Sequence, residues 1–200
     1  MDPKPDTHFR NRPASPESGP RPARAKWRRW LVLLAFSAMP LHADVAKEDQ
    51  LKAAFLYNFT KFVEWPPDRF ADETSPIVIG VFGPDQFARE LEAAVAGRTV
   101  NGRAIAVRKL AKAGDARSAH AVFVDATAEA ELGELIAISS EAGVLTVGES
   151  PQFVASGGII NFTIEGDRVR FEINQAAGER AGLRISAQLL KLAKVVRRKN

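Results

Sequence analysis

The chain contains no cysteine, and this absence excludes a thiol nucleophile, a thiolate metal site, a lipid-attachment cysteine and any disulfide. Stability must then come from packing alone. Histidine is almost as scarce, with three residues at positions 8, 42 and 120. His120 opens a strand-like run and reads as a structural or surface residue, because no Gly-x-Ser-x-Gly elbow accompanies it. One such histidine among scattered carboxylates does not supply zinc-ligand spacing. The sequence also lacks a Gly-x-Gly-x-x-Gly dinucleotide fingerprint, since Gly157-Gly158 does not sit between a strand and a helix. These gaps predict a protein without catalytic machinery, cofactor or metal. Long apolar runs are missing too: the longest, Leu31 to Met39, gives a core of roughly ten residues, well short of the ~20 needed to cross a bilayer.

That short run follows Arg24, Lys26, Arg28 and Arg29 and precedes Leu41-His-Ala43 and an abruptly polar Asp44-Val-Ala-Lys-Glu-Asp49. A basic stretch, a brief apolar core and a small residue predict a secretory signal peptide cleaved near Ala43. Leu41, two before Ala43, is not the small residue favoured there, which leaves an uncleaved anchor as the alternative. Residues 1–43 are thus expected to be a disordered N-terminus plus signal, and 44–200 a single domain exported to the periplasm. The leader carries 8 of the 28 Lys and Arg and 3 of the 24 Asp and Glu, leaving 20 basic against 21 acidic residues. The high overall pI belongs to the leader, so no nucleic-acid partner is predicted.

From Ala46 to Val63, Leu51, Ala54, Phe55, Phe59, Phe62 and Val63 recur at helical spacing, with Lys47, Glu48, Asp49 and Lys52 opposite. Trp65-Pro66-Pro67 ends this helix. Ile77–Phe82, Ala104–Leu110, His120–Asp125 and Val144–Val147 read as strands, with helices over Asp85–Ala96 and Ala128–Glu141 and an Asn101-Gly102 turn after a short Arg98–Val100 segment. Strands alternating with helices predict a parallel sheet covered on both faces. Gly158–Glu165, Gly166-Asp167 and Arg168–Asn174 alternate with period two and predict an antiparallel hairpin at the edge of that sheet. A last helix is expected over Leu183–Val196, with a basic end at Arg197-Arg-Lys199. The fold class expected is α/β, a three-layer sandwich with a mostly parallel sheet, an edge hairpin and helices on both faces.

Asp125 stands where receiver domains carry a phosphoacceptor, but the first strand ends Phe82-Gly-Pro-Asp85 without the acidic pair such domains need. It reads as a strand-end or capping residue. Phe153 is either an aromatic anchor on an exposed loop or ordinary core. A sheet-end crevice is a natural place for a small ligand, and Asn174 with Arg180 or Arg184 is the candidate pocket. Phe55, Tyr57, Phe59 and Phe62 on the first helix form a second candidate surface for a subunit contact.

Three segments together resemble the YfiR family of periplasmic proteins: Leu51-Lys-Ala-Ala-Phe-Leu-Tyr-Asn-Phe-Thr-Lys-Phe-Val-Glu-Trp-Pro66, Leu145 through Phe162, and Val169 through Ala193. The resemblance implies an α/β sandwich that is no enzyme. Its members repress an inner-membrane diguanylate cyclase by binding the cyclase's periplasmic sensor domain, are relieved by an outer-membrane lipoprotein, and so restrain cyclic-di-GMP signalling and biofilm. It further implies a homodimer, and partner-binding residues at Phe153, Glu165, Phe171, Ile173 and Gln188. The disulfide-based redox input of the best-known branch has no counterpart in a chain without cysteine.

Overall fold

A computed structural model describes residues 41–128, 130–166 and 168–196. The expected leader up to residue 40 and the basic end at 197–199 lie outside the described residues, while Leu41–Ala43, where cleavage is expected, are part of a helix. In chain order the elements are helix α1 (Leu41–Phe62), strands β1 (Val63–Glu64) and β2 (Ile77–Phe82), helix α2 (Asp85–Val95), strands β3 (Thr99–Val100), β4 (Arg103–Lys109) and β5 (Ala121–Val124), helix α3 (Leu132–Glu141), strands β6 (Leu145–Gly148), β7 (Ile160–Glu165) and β8 (Arg168–Ile173), helix α4 (Gln175–Arg180), β9 (Arg184–Ile185), α5 (Ala187–Leu192) and β10 (Lys194–Val195). The main sheet has the order β10-β8-β7-β6-β5-β2-β4-β3, and a small second sheet pairs β1 with β9. Pairing is parallel from β4 through β7 and between β8 and β10, and antiparallel only at β3–β4 and β7–β8.

Alternation along each strand builds the two outer layers. Ala121 and Phe123 of β5 face a core shared with Leu56 and Phe59 of α1 and Phe87 and Leu91 of α2. Val122 and Val124 face the other core, with Leu132 and Leu135 of α3. The stripe on α1 is interior: Phe59 packs edge-on to Phe171 at 5.0 Å and stacks with Phe162 at 5.7 Å, and Phe55 lies 5.6 Å from Phe171. That packing settles the helix's aromatics largely as core.

The expected helix over Leu183–Val196 is corrected. Gly182 adopts φ +72 after α4, and Arg184–Ile185 pair with Val63–Glu64. Ser186 then caps α5, its hydroxyl accepting from the Leu189 N–H at 3.2 Å. Lys194–Val195 return to the sheet beside β8. A six-residue helix between two short strands replaces the long one because local capping and edge pairing outweigh the leucine periodicity.

The Trp65-Pro-Pro turn folds over the amino ends of the central strands. Trp65 Nε1 donates to the His120 carbonyl at 2.8 Å, and Phe70 stacks on the His120 ring at 4.4 Å. Arg103 lies 3.9 Å above the Phe70 ring. His120 Nδ1 accepts from the Val78 N–H at 3.0 Å, and its Nε2 lies 3.0 Å from the Arg69 carbonyl, which assigns the proton to Nε2. The histidine is structural. Burial holds its pKa below the usual value, outweighing the Arg69 carbonyl, and the charges of Arg69 and Arg103 lower it further. A base depressed on folding contributes stability that is fully present above its unfolded pKa and is lost as pH falls toward the folded one. Urea unfolding is therefore expected to show stability falling below about pH 6.5, and His120→Gln is expected to flatten that slope; an unchanged slope contradicts the assignment.

Candidate functional site

The carboxyl ends of β2, β5 and β6 lie on one edge of the sheet, where open α/β folds place their ligands. Each strand delivers an acidic residue there: Asp85, Asp125 and Glu149. Asp85 is exposed and bound to Lys109 Nζ at 2.6 Å. Glu149 meets α1, and Asp125 is held by its own turn. Lys52, only 8% exposed, places Nζ 2.5 Å from Glu149 Oε2 and 2.6 Å from Glu48 Oε1. Asp125 Oδ1 accepts from the Thr127 N–H at 2.9 Å and hydroxyl at 2.5 Å. The Ala126 N–H reaches Glu149 Oε1 at 3.4 Å.

Burial and pairing set the protonation of this group. Burial pushes Glu149 above its ordinary range; Lys52 pulls it partly back, and the hydrogen bond and charge of Asp125 push it up again. Burial also acts to raise Asp125, but the hydrogen bonds from Thr127, together with Glu149 and Lys52, bring it below its usual value. Lys52 loses hydration, yet Glu149 and Glu48 more than compensate and raise it. The same surroundings therefore move the two acids in opposite directions, Glu149 up and Asp125 down.

A cavity of about 480 Å³ adjoins the cluster, lined by Glu48, Lys52, Glu149, Pro151, Asn161 and Phe162 among others. It exists because β6 stops at Gly148, opposite Asn161, while β7 continues to Glu165 with β8 alone beside it. A second cleft of about 560 Å³ continues from Glu48 and Ile164 toward Leu51, Arg168 and Val169. Leu51 is 44% and Ile164 53% exposed. Glu165 stands beside this cleft at the hairpin tip, exposed to solvent.

The structure separates the residues expected to bind a partner. Glu165 and Gln188 are exposed, on the hairpin and on α5. Phe153 is 1%, Phe171 6% and Ile173 0% exposed, so these three are core, not contact surface. Phe171 and Ile173 share the β8 face under α1, as alternation requires. Phe153 folds back onto the other core, its ring held between Gly148 and Gly158.

The expected pocket of Asn174, Arg180 and Arg184 is likewise corrected. Asn174 is buried and caps α4, its Oδ1 accepting from the Ala177 N–H at 3.1 Å. Arg180 and Arg184 are exposed and line different surface depressions. The sequence reading passed over Lys52, Glu149 and Asn161. Lys52 falls on the nominally polar face of α1, and only the loop after β6, at a strand's carboxyl end, signalled Glu149.

Residues 49–194 match the family described as YfiR/HmsC-like. The chain belongs to this family. YfiR/HmsC-like proteins are periplasmic and regulatory rather than catalytic. Among the described residues no helix is long and apolar enough to cross a membrane. A comparison with curated proteins finds no match. Among solved structures, the chain is similar to a conserved domain protein from Vibrio cholerae O1 biovar eltor, with 13% identity and a TM-score of 0.51 over 74% of this chain and 60% of that one. It is similar to the same degree to an ABC domain in complex with L-Trp from Streptococcus pneumonia, with 12% identity and a TM-score of 0.51 over 72% of this chain and 60% of that one. These likenesses show the α/β fold alone, and this YfiR/HmsC-like chain spans 60% of either neighbour's length.

Proposed function

We propose that this YfiR/HmsC-like protein is a periplasmic repressor that binds the sensor domain of an inner-membrane diguanylate cyclase and holds it inactive. The family match over residues 49–194 carries this reading. Binding only the inactive state shifts the receptor's population toward it, and a signal that weakens binding releases the enzyme. The contact surface proposed is the cleft between α1 and the hairpin tip, where Leu51 and Ile164 offer exposed apolar area and Glu165 and Arg168 a charged rim. Gln188 on α5 is a second exposed contact. Relief by an outer-membrane lipoprotein and self-association as a homodimer belong to the same reading.

Wild type is expected to retain a membrane cyclase from solubilised inner membrane, and Ile164→Asp and Glu165→Lys to lose it while keeping the wild-type melting temperature. Retention of no receptor by wild type overturns the reading. A small-molecule binding module is the second reading, favoured by the cavity at the strand ends; a metabolite retained through purification, with no receptor, supports it.

A further inference from the structure

We infer that residues 191–199 dock the protein on a membrane surface rich in anionic phospholipid. The inference goes beyond the cyclase contact and does not depend on it. In the sequence the basic end reads as the finish of a long last helix, and the structure removes that role. Helix α5 stops at Leu192, so of the cations Lys191, Lys194, Arg197, Arg198 and Lys199 only the first stands in a final helical turn, where the helix dipole is felt. The other four need a different explanation.

Charge supplies the first part of it. Residues 180–200 hold seven Lys and Arg and no Asp or Glu, whereas residues 44–179 hold 13 basic and 21 acidic residues. Lys191 and Lys194 are exposed. Neither has an ion-pair partner among the described residues, although Lys194 lies opposite Glu172 in the β8–β10 register. An anionic surface attracts this end and repels the acidic remainder, which fixes the approach. Exposed apolar side chains supply the second part. Leu192 is 67% exposed, the highest value among the large hydrophobic residues described, and Val195 is 36% exposed. β10 is the last strand on its side of the main sheet, so these cations and apolar groups share one sheet edge. Headgroup phosphates accept from the ammonium and guanidinium groups, and the acyl boundary beneath them takes the apolar side chains. An acidic protein surface answers the charge alone; a lipid layer answers both. Docking there confines the protein to the layer in which a membrane receptor lies and raises its effective concentration.

The test is co-sedimentation of the protein, purified from the periplasm, with vesicles of phosphatidylcholine alone and of an equimolar mixture of phosphatidylglycerol and phosphatidylcholine. Sedimentation with the mixture alone is expected, weakening as salt rises. Lys191→Gln combined with Lys194→Gln is expected to weaken binding about 20-fold and to flatten its salt dependence. Leu192→Asn is expected to weaken it about 10-fold with the salt dependence kept. Arg89→Gln, at an exposed cation on α2, is expected to change nothing. All four positions are exposed, so the variants keep the fold. Absence of sedimentation with the mixture, equal sedimentation with both vesicles, or wild-type affinity in the double lysine variant overturns the inference. Binding of soluble poly-glutamate without binding to either vesicle assigns the basic end to an acidic protein and overturns it as well.

Discussion

Phe153→Ala is expected to lower the stability of the folded protein by about 4 kcal/mol in urea unfolding, near the middle of the range for a buried phenylalanine cut to alanine. The ring is 1% exposed and belongs to the core beneath α3. Both glycines around it are required by the close approach: a Cβ added at Gly148 would come 2.2 Å from Cδ2 of the ring, and one added at Gly158 2.2 Å from Cε1. Gly148→Ala and Gly158→Ala are therefore each expected to cost about 1–3 kcal/mol through overpacking. Because all three residues share one contact, the effects must not add: Gly158→Ala placed on Phe153→Ala is expected to cost far less than on wild type. A loss below about 1 kcal/mol for Phe153→Ala, or simple additivity, would show that the loop stands away from the core.

The second large effect is expected at Lys52. Replacing it with methionine keeps most of the side chain's bulk but leaves Glu149 and Glu48 without their cation. Removing one partner of a buried pair costs about 3 kcal/mol, the low end of the range applying because Glu48 keeps solvent contact. The pH dependence separates this cause from lost packing. Glu149 is already raised on folding, and Lys52 is what pulls it down. Without Lys52 it rises further, and a raised acid contributes stability that is present at low pH and lost as pH climbs through its folded pKa. Lys52→Met is thus expected to be least stable relative to wild type above neutrality and to recover near pH 5. A pH-independent deficit would mean that only packing was lost.

Much of this architecture was legible in the sequence because the central strands are continuous apolar runs and the connecting helices are amphipathic. Ile77–Phe82 needed burial on both faces, and the structure supplies it from α1 and α2 on one side and α3 on the other. The C-terminal region was misread where short-range capping decides: Asn174 and Ser186 each start a short helix that leucine periodicity blurs into one long helix. Of the candidate site residues, Glu165 and Gln188 lie on the surface. Phe153 stayed open between anchor and core, because an aromatic in a loop gives no periodicity to show which way it folds. Lys52 was hidden for a different reason. A charge is assigned to solvent until its partner is known, and Glu149 lies 97 residues away in sequence.

The pairing of Val63 with Ile185 and the hydrogen bond from the Ser186 N–H to the Phe62 carbonyl, 2.9 Å long, tie the end of the first helix to nearly the last residues of the fold. Synthesis delivers these partners at opposite times. The apolar stripe of α1 leaves the ribosome early and finds its full cover only when residues beyond 185 have followed, so the nascent chain carries an adhesive helix through most of its production. Such delayed closure slows folding and lengthens the interval in which a holding chaperone has something to grip.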